Sequence, residues 1–274
     1  MTRLKKFLKI MHKVDKSIIN KLFYPKINSH KYENGVLLII GGSNKFHGAP
    51  WLSIEAASRI VDLIYYSSVA ENNKLMQKIK VKNPCFIAIP RHEIWKVVHE
   101  TDAILLGPGL GINKAAKQLV NSLLKKYPDK KFVLDADALK LVNLRLLRNN
   151  VIVTPHVREF KILFGQKANY ENARKMSKKF GCIIVLKGVK DIICSARKCV
   201  YNSTGNQGMT KGGTGDVLAG LIAALSCKND LFLAAQAGAL VNGLAGDGLY
   251  KKMGVYYNAL DLAREIPRVL HKKI

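Results

Sequence analysis

Short apolar runs alternate with helical segments along most of this chain, and that alternation limits the folds open to it. The strand-like runs occupy residues 36–40, 62–69, 85–89, 103–106, 131–134, 151–153 and 182–186. The helical segments between them occupy residues 51–60, 93–99, 114–126, a stretch ending at 147, and 173–180. Runs that are apolar throughout are typical of parallel strands covered on both faces. The alternation therefore predicts an α/β fold, with a mostly parallel central sheet and helices on both faces.

The ends of the chain fall outside this alternation. Residues 1–34 are rich in lysine, so we expect a basic N-terminal extension, part of it a surface helix, ahead of a domain at residues 35–274. Segments 191–194 and 198–201 predict a hairpin, and Asn258 is a suitable N-cap for a last helix ending at residue 271. Because no repeat or low-complexity linker divides the sequence, we expect a single large domain.

Composition excludes several classes of protein. No apolar run approaches the roughly 18 residues that a membrane span needs. The basic, amphipathic first ten residues lack the apolar core and cleavage site of a signal peptide. Five cysteines without a C-x-x-C pair predict reduced thiols rather than a disulfide framework or a zinc site. We therefore expect a cytoplasmic protein with no membrane partner.

Lysine and arginine give the chain a large positive charge. Against 19 Asp and Glu there are 45 Lys and Arg, so the formal net charge is +26, which favours anionic ligands. The cations are dispersed and form no arginine cluster interleaved with aromatic residues, which favours a solvated basic surface over a nucleic-acid platform. A basic nucleic-acid-binding protein with a degenerate enzyme fold is the alternative from a different class.

A glycine-rich loop at residues 203–215 leads directly into an apolar helix. Its glycines permit positive φ angles and let backbone N–H groups approach a ligand closely. The helix start adds unpaired N–H groups and the positive end of the helix dipole, so the junction predicts an anion site. The loop matches neither the Walker P-loop nor G-x-G-x-x-G. Asp216 stands at this junction, either as a favourable charge at a helix start or as a base beside a phosphoryl group.

Other polar and glycine residues follow the strand-like runs, where open α/β sheets bind ligands. The Gly-Pro-Gly-Leu-Gly turn at residues 107–111 fits a tight corner as well as a binding turn. Asp135 and Asp137 fit a carboxylate pair, or one of them caps the next helix. His156 follows a Thr-Pro pair and Lys187 ends a buried strand, and each also has a purely structural explanation.

Six motifs occur in order between residues 36 and 266. They are Gly-Gly-Ser…Gly-Ala-Pro, Gly-Pro-Gly-Leu-Gly, Leu-Asp-Ala-Asp-Ala-Leu, Thr-Pro-His…Glu, Leu-Lys-Gly and Gly-Asn-Gln-Gly-Met…Gly-Gly-Thr-Gly-Asp-Val-Leu-Ala-Gly. The ordered set resembles the ADP-dependent NAD(P)H-hydrate dehydratases, ribokinase-like proteins that repair damaged nicotinamide cofactors. The resemblance implies a ribokinase-like three-layer sandwich. It also implies transfer of the β-phosphoryl group of ADP to the ring hydroxyl of the S form of hydrated NADH or NADPH. Elimination of phosphate then restores NADH or NADPH and leaves AMP and phosphate.

The same resemblance implies the site residues. Asp216 matches the family's base, which takes the hydroxyl proton. The residues implied to line the hydrate site are Ala49, Gly109, His156 and Asp216. Those implied to hold the adenine nucleotide are Lys187, Gly188, Val189, Lys190, Asp191 and Gly215. Those implied to form an anion hole are Gly212, Gly213, Thr214 and Gly215. Mg²⁺ is expected with ADP, held by its phosphates and by water rather than by a protein metal site.

Some positions depart from the family pattern. Asp191 stands where relatives commonly have Thr, so we expect its carboxylate to point away from the phosphates. Lys211 is a candidate for an additional phosphate contact, and Val157-Arg158 and Asn242 are further departures. Residues 1–34 are too few for the fused epimerase domain of many relatives, so we expect the dehydratase alone. A homotetramer is also implied.

A small-molecule kinase of the ribokinase superfamily, acting on a vitamin precursor, is the alternative enzyme. The glycine loop and Asp216 would serve either reaction. The Gly-Ala-Pro, Gly-Pro-Gly-Leu-Gly and Thr-Pro-His motifs favour the dehydratase.

Overall fold

A single ten-stranded sheet runs through the part of the chain that the computed structural model describes, residues 11–271. Its strands are β1 (His12–Lys13), β2 (Val36–Ile40), β3 (Leu63–Ser67), β4 (Ile87–Ile89), β5 (Ala103–Leu106), β6 (Lys131–Leu134), β7 (Val151–Val153), β8 (Ile183–Leu186), β9 (Asp191–Cys194) and β10 (Cys199–Asn202). They lie in the order β1-β10-β9-β8-β7-β6-β5-β2-β3-β4. Only β9 is antiparallel to its neighbours. The expected mostly parallel sheet is confirmed.

Helices cover both faces of the sheet, which makes the fold a three-layer sandwich. The helices of one face are α1 (Gly48–Ala57), α2 (Ala70–Ile79), α8 (Thr214–Lys228), α9 (Leu231–Met253) and α10 (Ala259–His271). Those of the other face are α3 (Ile94–Val97), α4 (Lys114–Lys126), α5 (Asp137–Leu141), α6 (Val157–Phe164) and α7 (Tyr170–Phe180).

The two-sided cover explains why the strands are apolar throughout. In β2, Leu37 and Ile39 pack into the core beneath α8, whereas Leu38 and Ile40 pack into the core on the opposite face. Successive side chains of a strand point to opposite faces of the sheet, so both faces are apolar only when every position of the strand is apolar. Helix α8 is itself buried along almost its whole length, which fixes its N-terminal turn in place.

Several elements have the bounds that the sequence predicts, among them β5, β6, β7 and α4. Helix α4 shows why: Asn113 caps it by accepting from the Ala116 amide at 2.8 Å, and the buried side chains recur at helical spacing. The predicted helix at residues 93–99 is instead the short α3 flanked by 3₁₀ turns. Helices α2 and α6 were not predicted.

The described part of the N-terminal extension joins the sheet. Residues 12–13 form β1, which pairs in parallel with β10 at the sheet edge. Val14 and Ile19 are buried, and Lys16–Lys21 is a 3₁₀ turn rather than the expected surface helix. The first ten residues, to which the expectation of a basic amphipathic segment applies, lie outside the described residues. The division at residue 35 stays a prediction.

Two cysteines contradict the prediction of reduced thiols. Cys194 and Cys199 face each other across the β9–β10 hairpin, with Cα atoms 4.1 Å apart, and they form a disulfide. A spacing of five residues gave no recognised motif, but the hairpin register places the pair directly opposite. The other three cysteines are free thiols. Between residues 11 and 271, every helix is too short or too polar to cross a membrane.

Candidate active site

The glycine-rich loop ends at Gly213, the N-cap of α8. Its φ of 96° lies in the left-handed region, and a Cβ atom there would lie 2.4 Å from Cδ1 of Leu52, so only glycine fits. The Thr214 hydroxyl donates to the carbonyls of Met209 at 2.7 Å and Lys211 at 3.0 Å and fixes the loop against the helix. Four amides at this junction donate to no acceptor in the described chain, namely those of Gly212, Gly213, Gly215 and Asp216. The loop is therefore free to receive an anion at a helix N-terminus.

Asp216 lies in the first turn of α8, which begins at Thr214, within the stretch assigned to the glycine-rich loop. Burial raises the pKa of its carboxyl to about 7; the nearby carboxylate of Asp135 adds to the rise, and Lys187 opposes it. The backbone carbonyl of Asp216 accepts from the Ser53 hydroxyl of α1 at 2.9 Å. A carboxyl that ionises near neutral pH is suited to act as a general base.

Lys187 directly follows β8 and places its ammonium beside Asp216. Its Nζ lies 2.8 Å from Oδ1 of Asp135 and 3.9 Å from Oε2 of Glu159. Burial alone would lower the pKa of Lys187, but these carboxylates outweigh it and raise the pKa, so the side chain stays charged. A Cβ atom on Gly215 would lie 3.3 Å from Nζ. A fixed positive charge therefore stands next to the free amides of α8.

Asp135 and Asp137 do not form a carboxylate pair. Ala136 between them has a φ of 50°, and the two side chains bind different partners. Asp135 accepts from the Thr154 hydroxyl at 2.7 Å as well as from Lys187. Asp137 accepts from the Gly111 amide at 2.9 Å and so holds the turn at residues 107–111 in place.

His156 is the N-cap of α6, and its side chain is half exposed. Its Nδ1 accepts from the amides of Arg158 at 3.1 Å and Glu159 at 3.3 Å, and Oε2 of Glu159 accepts from the His156 amide at 2.9 Å. This is a reciprocal capping box with histidine in the capping position. Because Nδ1 accepts, the ring hydrogen is on Nε2, which lies 3.6 Å from Oε2 of Glu159 and is the nitrogen left to donate.

Ala49 and Gly109 meet where the loops after β2 and β5 touch. Gly109 has a φ of 62°, and a Cβ atom there would lie 2.8 Å from Cβ of Phe46 and 3.4 Å from Cβ of Ala49. The Ser53 hydroxyl lies 3.4 Å from the Ala49 carbonyl and also reaches the Asp216 carbonyl. Ala49 thus packs close to Gly109 and is joined to the start of α8 at Asp216 through Ser53. Nothing in the sequence pattern indicated the connecting role of Ser53.

The nucleotide candidates from Lys187 to Asp191 form a tight turn between β8 and β9. Asp191 accepts from the Gly188 amide at 3.1 Å and from the side-chain amide of Asn202 at 3.1 Å, so its carboxylate is directed into its own turn. Burial raises its pKa. Val189 is fully exposed, and Nζ of Lys190 lies 5.5 Å from the centre of the Tyr201 ring.

Lys211 is not directed at the anion site. Its ammonium donates to the carbonyls of Val255 and Tyr257 and so fastens the glycine loop to the turn before α10. Asn206, also in the glycine-rich loop, accepts from the Gly208 amide at 3.0 Å and from the Tyr257 hydroxyl at 2.7 Å. Both residues hold the loop. The Oδ1 atom of Asn242 is buried without a partner in the described part of the protein.

Comparison with known proteins gives one consistent result. The sequence profile of the NAD(P)H-hydrate dehydratase family matches residues 37–268. The chain is 40% identical over 273 residues to the ADP-dependent (S)-NAD(P)H-hydrate dehydratase of Nitrosopumilus maritimus, covering 91% of this chain and 94% of that protein.

A second relative is longer. The chain is 45% identical over 255 residues to the bifunctional NAD(P)H-hydrate repair enzyme Nnr of Methanocaldococcus jannaschii, covering 89% of this chain and 49% of that protein. The chain therefore spans about half the length of this relative. Among solved structures, a ribokinase-like superfamily protein from Enterococcus faecalis superposes with a TM-score of 0.87 at 26% identity, covering 96% of each chain.

Proposed function

The chain belongs to the NAD(P)H-hydrate dehydratase family and has its ribokinase-like fold, and we propose that it dehydrates the S form of hydrated NADH and NADPH with ADP as phosphoryl donor. The observation that carries the proposal is the position of Asp216. A carboxyl with a pKa of about 7 lies in the first turn of α8, beside the free amides of the glycine-rich loop, and its carbonyl is joined to α1 through Ser53. Such a group can take the proton of an alcohol while a phosphoryl group is held beside it.

The first chemical step uses the residues around α8. Asp216 accepts the proton of the ring hydroxyl while the hydroxyl oxygen attacks the β-phosphorus of ADP. AMP leaves with the electrons of the broken P–O bond. Negative charge grows on the transferring group, where the free amides of Gly212, Gly213 and Gly215 and the ammonium of Lys187 can stabilise it. Hydroxide is a poor leaving group and phosphate a good one, so this transfer prepares the elimination.

The candidate contacts for the hydrate and for the nucleotide meet where His156 pairs with Lys187 in a parallel bridge. Gly109, Ala49 and the outward Nε2 of His156 are the candidates for contacts with the hydrate. Lys187 and the turn that it starts are the candidates for the nucleotide, at the β8–β9 side of Asp216. Asp191 is turned inward, so its charge is not presented to the phosphates.

Mg²⁺ fits the site as a companion of the nucleotide. Residues 11–271 contain no group of three His, Cys, Asp or Glu side chains that could hold a metal ion. The donor set therefore suits an ion bound by phosphate oxygens and water, as the reluctance of Mg²⁺ to lose its hydration shell favours. When bound, the ion would neutralise phosphate charge during transfer.

The proposal also covers the location, the ligands and the oligomeric state of the enzyme. Dispersed charge and nicotinamide repair support a cytoplasmic enzyme that binds hydrated cofactor and ADP rather than nucleic acid. A homotetramer is proposed from the family resemblance. The sequence has two pairs of adjacent tyrosines that are candidates for subunit contacts, Tyr65-Tyr66 and Tyr256-Tyr257. Tyr66 and Tyr257 are buried within the fold, so Tyr65 and Tyr256 are the accessible members of these pairs. A monomeric mass by light scattering at low-micromolar concentration would refute the tetramer.

One experiment tests the activity directly. The purified protein is incubated with hydrated NADH or NADPH, Mg²⁺ and either ADP or ATP, and the return of reduced-nicotinamide absorbance is followed. We expect recovery that depends on the nucleotide and yields one AMP per reduced cofactor with ADP. No recovery with either nucleotide, together with phosphorylation of a vitamin-precursor alcohol, would replace the dehydratase with the kinase alternative.

A further inference from the structure

A buried polar network supports the loop that follows β2. Asn72 of α2 is fully buried, and its amide nitrogen donates to the hydroxyl of Tyr66 at 2.7 Å and to that of Ser68 at 3.0 Å. The loop crosses directly above it, since a Cβ atom on Gly42 would lie 1.9 Å from Nδ2 of Asn72. The Oδ1 atom of Asn72 lies 2.8 Å from Nδ1 of His47, the N-cap of α1. The buried side chain of Asn72 is therefore hydrogen-bonded to one ring nitrogen of the partly exposed His47.

The network determines which nitrogen of His47 carries the hydrogen. Asn72 uses its amide nitrogen on the two hydroxyls, so the atom that it presents to His47 is a carbonyl oxygen, which can only accept. Nδ1 of His47 must then be the donor. In a neutral ring the other nitrogen, Nε2, is left with a free lone pair. His47 is thus the opposite of His156, whose Nδ1 accepts and whose Nε2 carries the hydrogen.

His47 also lies beside residues proposed to contact the hydrate. It stands between Phe46 and Ala49, and both of these residues approach Gly109, at 2.8 Å and 3.4 Å from the position of a Cβ atom there. The ring nitrogen bound to Asn72 faces a buried side chain, and Nε2 makes no hydrogen bond to the described residues. His47 makes no side-chain cap to α1. Its side chain is therefore held by the interior and has no structural task on its outer side among the described residues.

The dehydration needs a second base. Once phosphate leaves the ring carbon next to nitrogen, taking the electrons of the C–O bond, the nitrogen lone pair forms a double bond to that carbon. The neighbouring CH₂ carbon must then lose a proton, so that its C–H electrons form the ring double bond and the nitrogen recovers its pair. Asp216 holds the hydroxyl proton until the departing phosphate takes it up, so a second, unprotonated group is needed to take the ring proton in the same step.

We propose that Nε2 of His47 accepts this second proton, so that His47 is the catalytic base of the elimination half of the reaction. The proposal rests on the proposed function. It divides the chemistry between two groups: Asp216 activates the hydroxyl for phosphoryl transfer, and His47 completes the ring double bond after phosphate has gone. The proton then passes to solvent from the half-exposed imidazole.

A single-turnover experiment separates the two halves. Enzyme in excess over hydrated NADH is mixed with ADP and Mg²⁺, and AMP is measured in quenched samples while NADH is followed by absorbance. We expect His47→Gln to form AMP at the wild-type rate and to form NADH more slowly, by roughly 10²–10⁴-fold, the usual range for a lost general base. Glutamine can still donate to Asn72, so the loop keeps its support. His30→Gln, at an exposed position ahead of β2, is the matched control and should match the wild type in both rates.

Deuterium on the ring CH₂ gives a readout that a positioning role would not move. In His47→Gln, removal of that proton becomes rate-limiting, so NADH formation should acquire a primary isotope effect while AMP formation does not. Equal slowing of AMP and NADH, or no slowing of either, would overturn the assignment of His47. Failure of the wild type to form AMP or NADH would instead overturn the proposed function itself.

Discussion

Replacing Asp216 with Asn tests the catalytic base and the buried charge in one variant. The pKa of Asp216 is raised to about 7, first by burial and then by Asp135, so the base is only partly ionised at neutral pH. Because a base must be ionised to accept a proton, kcat/KM of the wild type should rise with pH and level off above about 7. Asp216→Asn removes the acceptor and nearly keeps the size of the side chain. We expect kcat to fall by roughly 10²–10⁴-fold and the rise with pH to disappear.

The same substitution should stabilise the fold at alkaline pH. The pKa of Asp216 rises from 3.8 to about 7 on folding, which means that the folded state prefers the protonated form. At about 1.4 kcal/mol per unit, the ionised form costs at most about 4 kcal/mol of the free energy of unfolding. This destabilisation is absent below about pH 4, grows as the pH rises, and is complete above about pH 7. The favourable charge at the helix start offsets only about 0.3–1 kcal/mol. Asp216→Asn should therefore raise Tm at pH 8 by several degrees, and by less at pH 5.

The assays are turnover by nicotinamide absorbance, ADP affinity by calorimetry, and Tm at pH 5 and pH 8. The affinity for ADP should change little or increase, since a negative charge near the phosphates is gone. Asp230→Asn is the matched control, because Asp230 caps α9 by accepting from two amides at 2.9 Å and 3.0 Å but lies outside the site. Asparagine is also a good cap, so this variant should keep kcat and Tm. If Asp216→Asn kept kcat within a few-fold of the wild type and lowered Tm at pH 8, the reasoning would be refuted.

Three further substitutions test other parts of the structure. Lys187→Met should weaken ADP binding and lower the free energy of unfolding by about 3–5 kcal/mol, because two buried carboxylates lose their partner; calorimetry and urea unfolding measure the two effects. Gly109→Ala is strained at a φ of 62° and crowded by Phe46, so it should raise KM for the hydrate and leave ADP affinity intact. In the control Gly48→Ala the added Cβ meets no described atom within 4 Å, and both quantities should stay unchanged. Cys199→Ser opens a disulfide that spans five residues and should lower the free energy of unfolding by about 2 kcal/mol without changing kcat; equal stability in urea would contradict this.

The sequence predicted the sheet better than the helices around it. A buried parallel strand is recognisable because every position in it is apolar, and β5 to β7 have the predicted bounds for that reason. Helix α2 gave no such signal. It packs on the core through Met76 and otherwise buries Asn72 and Asn73, whose amides are satisfied by hydrogen bonds that no hydrophobic pattern reveals. Helix α6 directly follows the Thr-Pro-His motif, which sequence reasoning treated as a site segment.

The roles of the site residues depend on backbone angles and hydrogen-bond partners that a sequence motif does not specify. Asp135 contacts Lys187 whereas Asp137 accepts from the Gly111 amide, and Ala136 between them has a positive φ angle. His156 directs only Nε2 outward because its own helix occupies Nδ1. The hydrogen bond between Asn72 and His47 joins residues that are 25 positions apart in the sequence, and Asn72 lies in α2, a helix that was not predicted. Each case requires the folded backbone, so a motif can locate such a residue without fixing its protonation or direction.

The charges around Lys187 favour proton uptake by Asp216 during the proposed phosphoryl transfer. Asp135 and Glu159 share the ammonium, and Asp216 stands beside all three, so carboxylates outnumber the cation. Ionised Asp216 is therefore held against the repulsion of its neighbours, and an arriving phosphate adds to that repulsion. Taking the hydroxyl proton relieves both at once, at the moment when the hydroxyl oxygen becomes a nucleophile. The carboxylates that make Asp216 a costly charge in the fold thus make it a stronger base for the reaction.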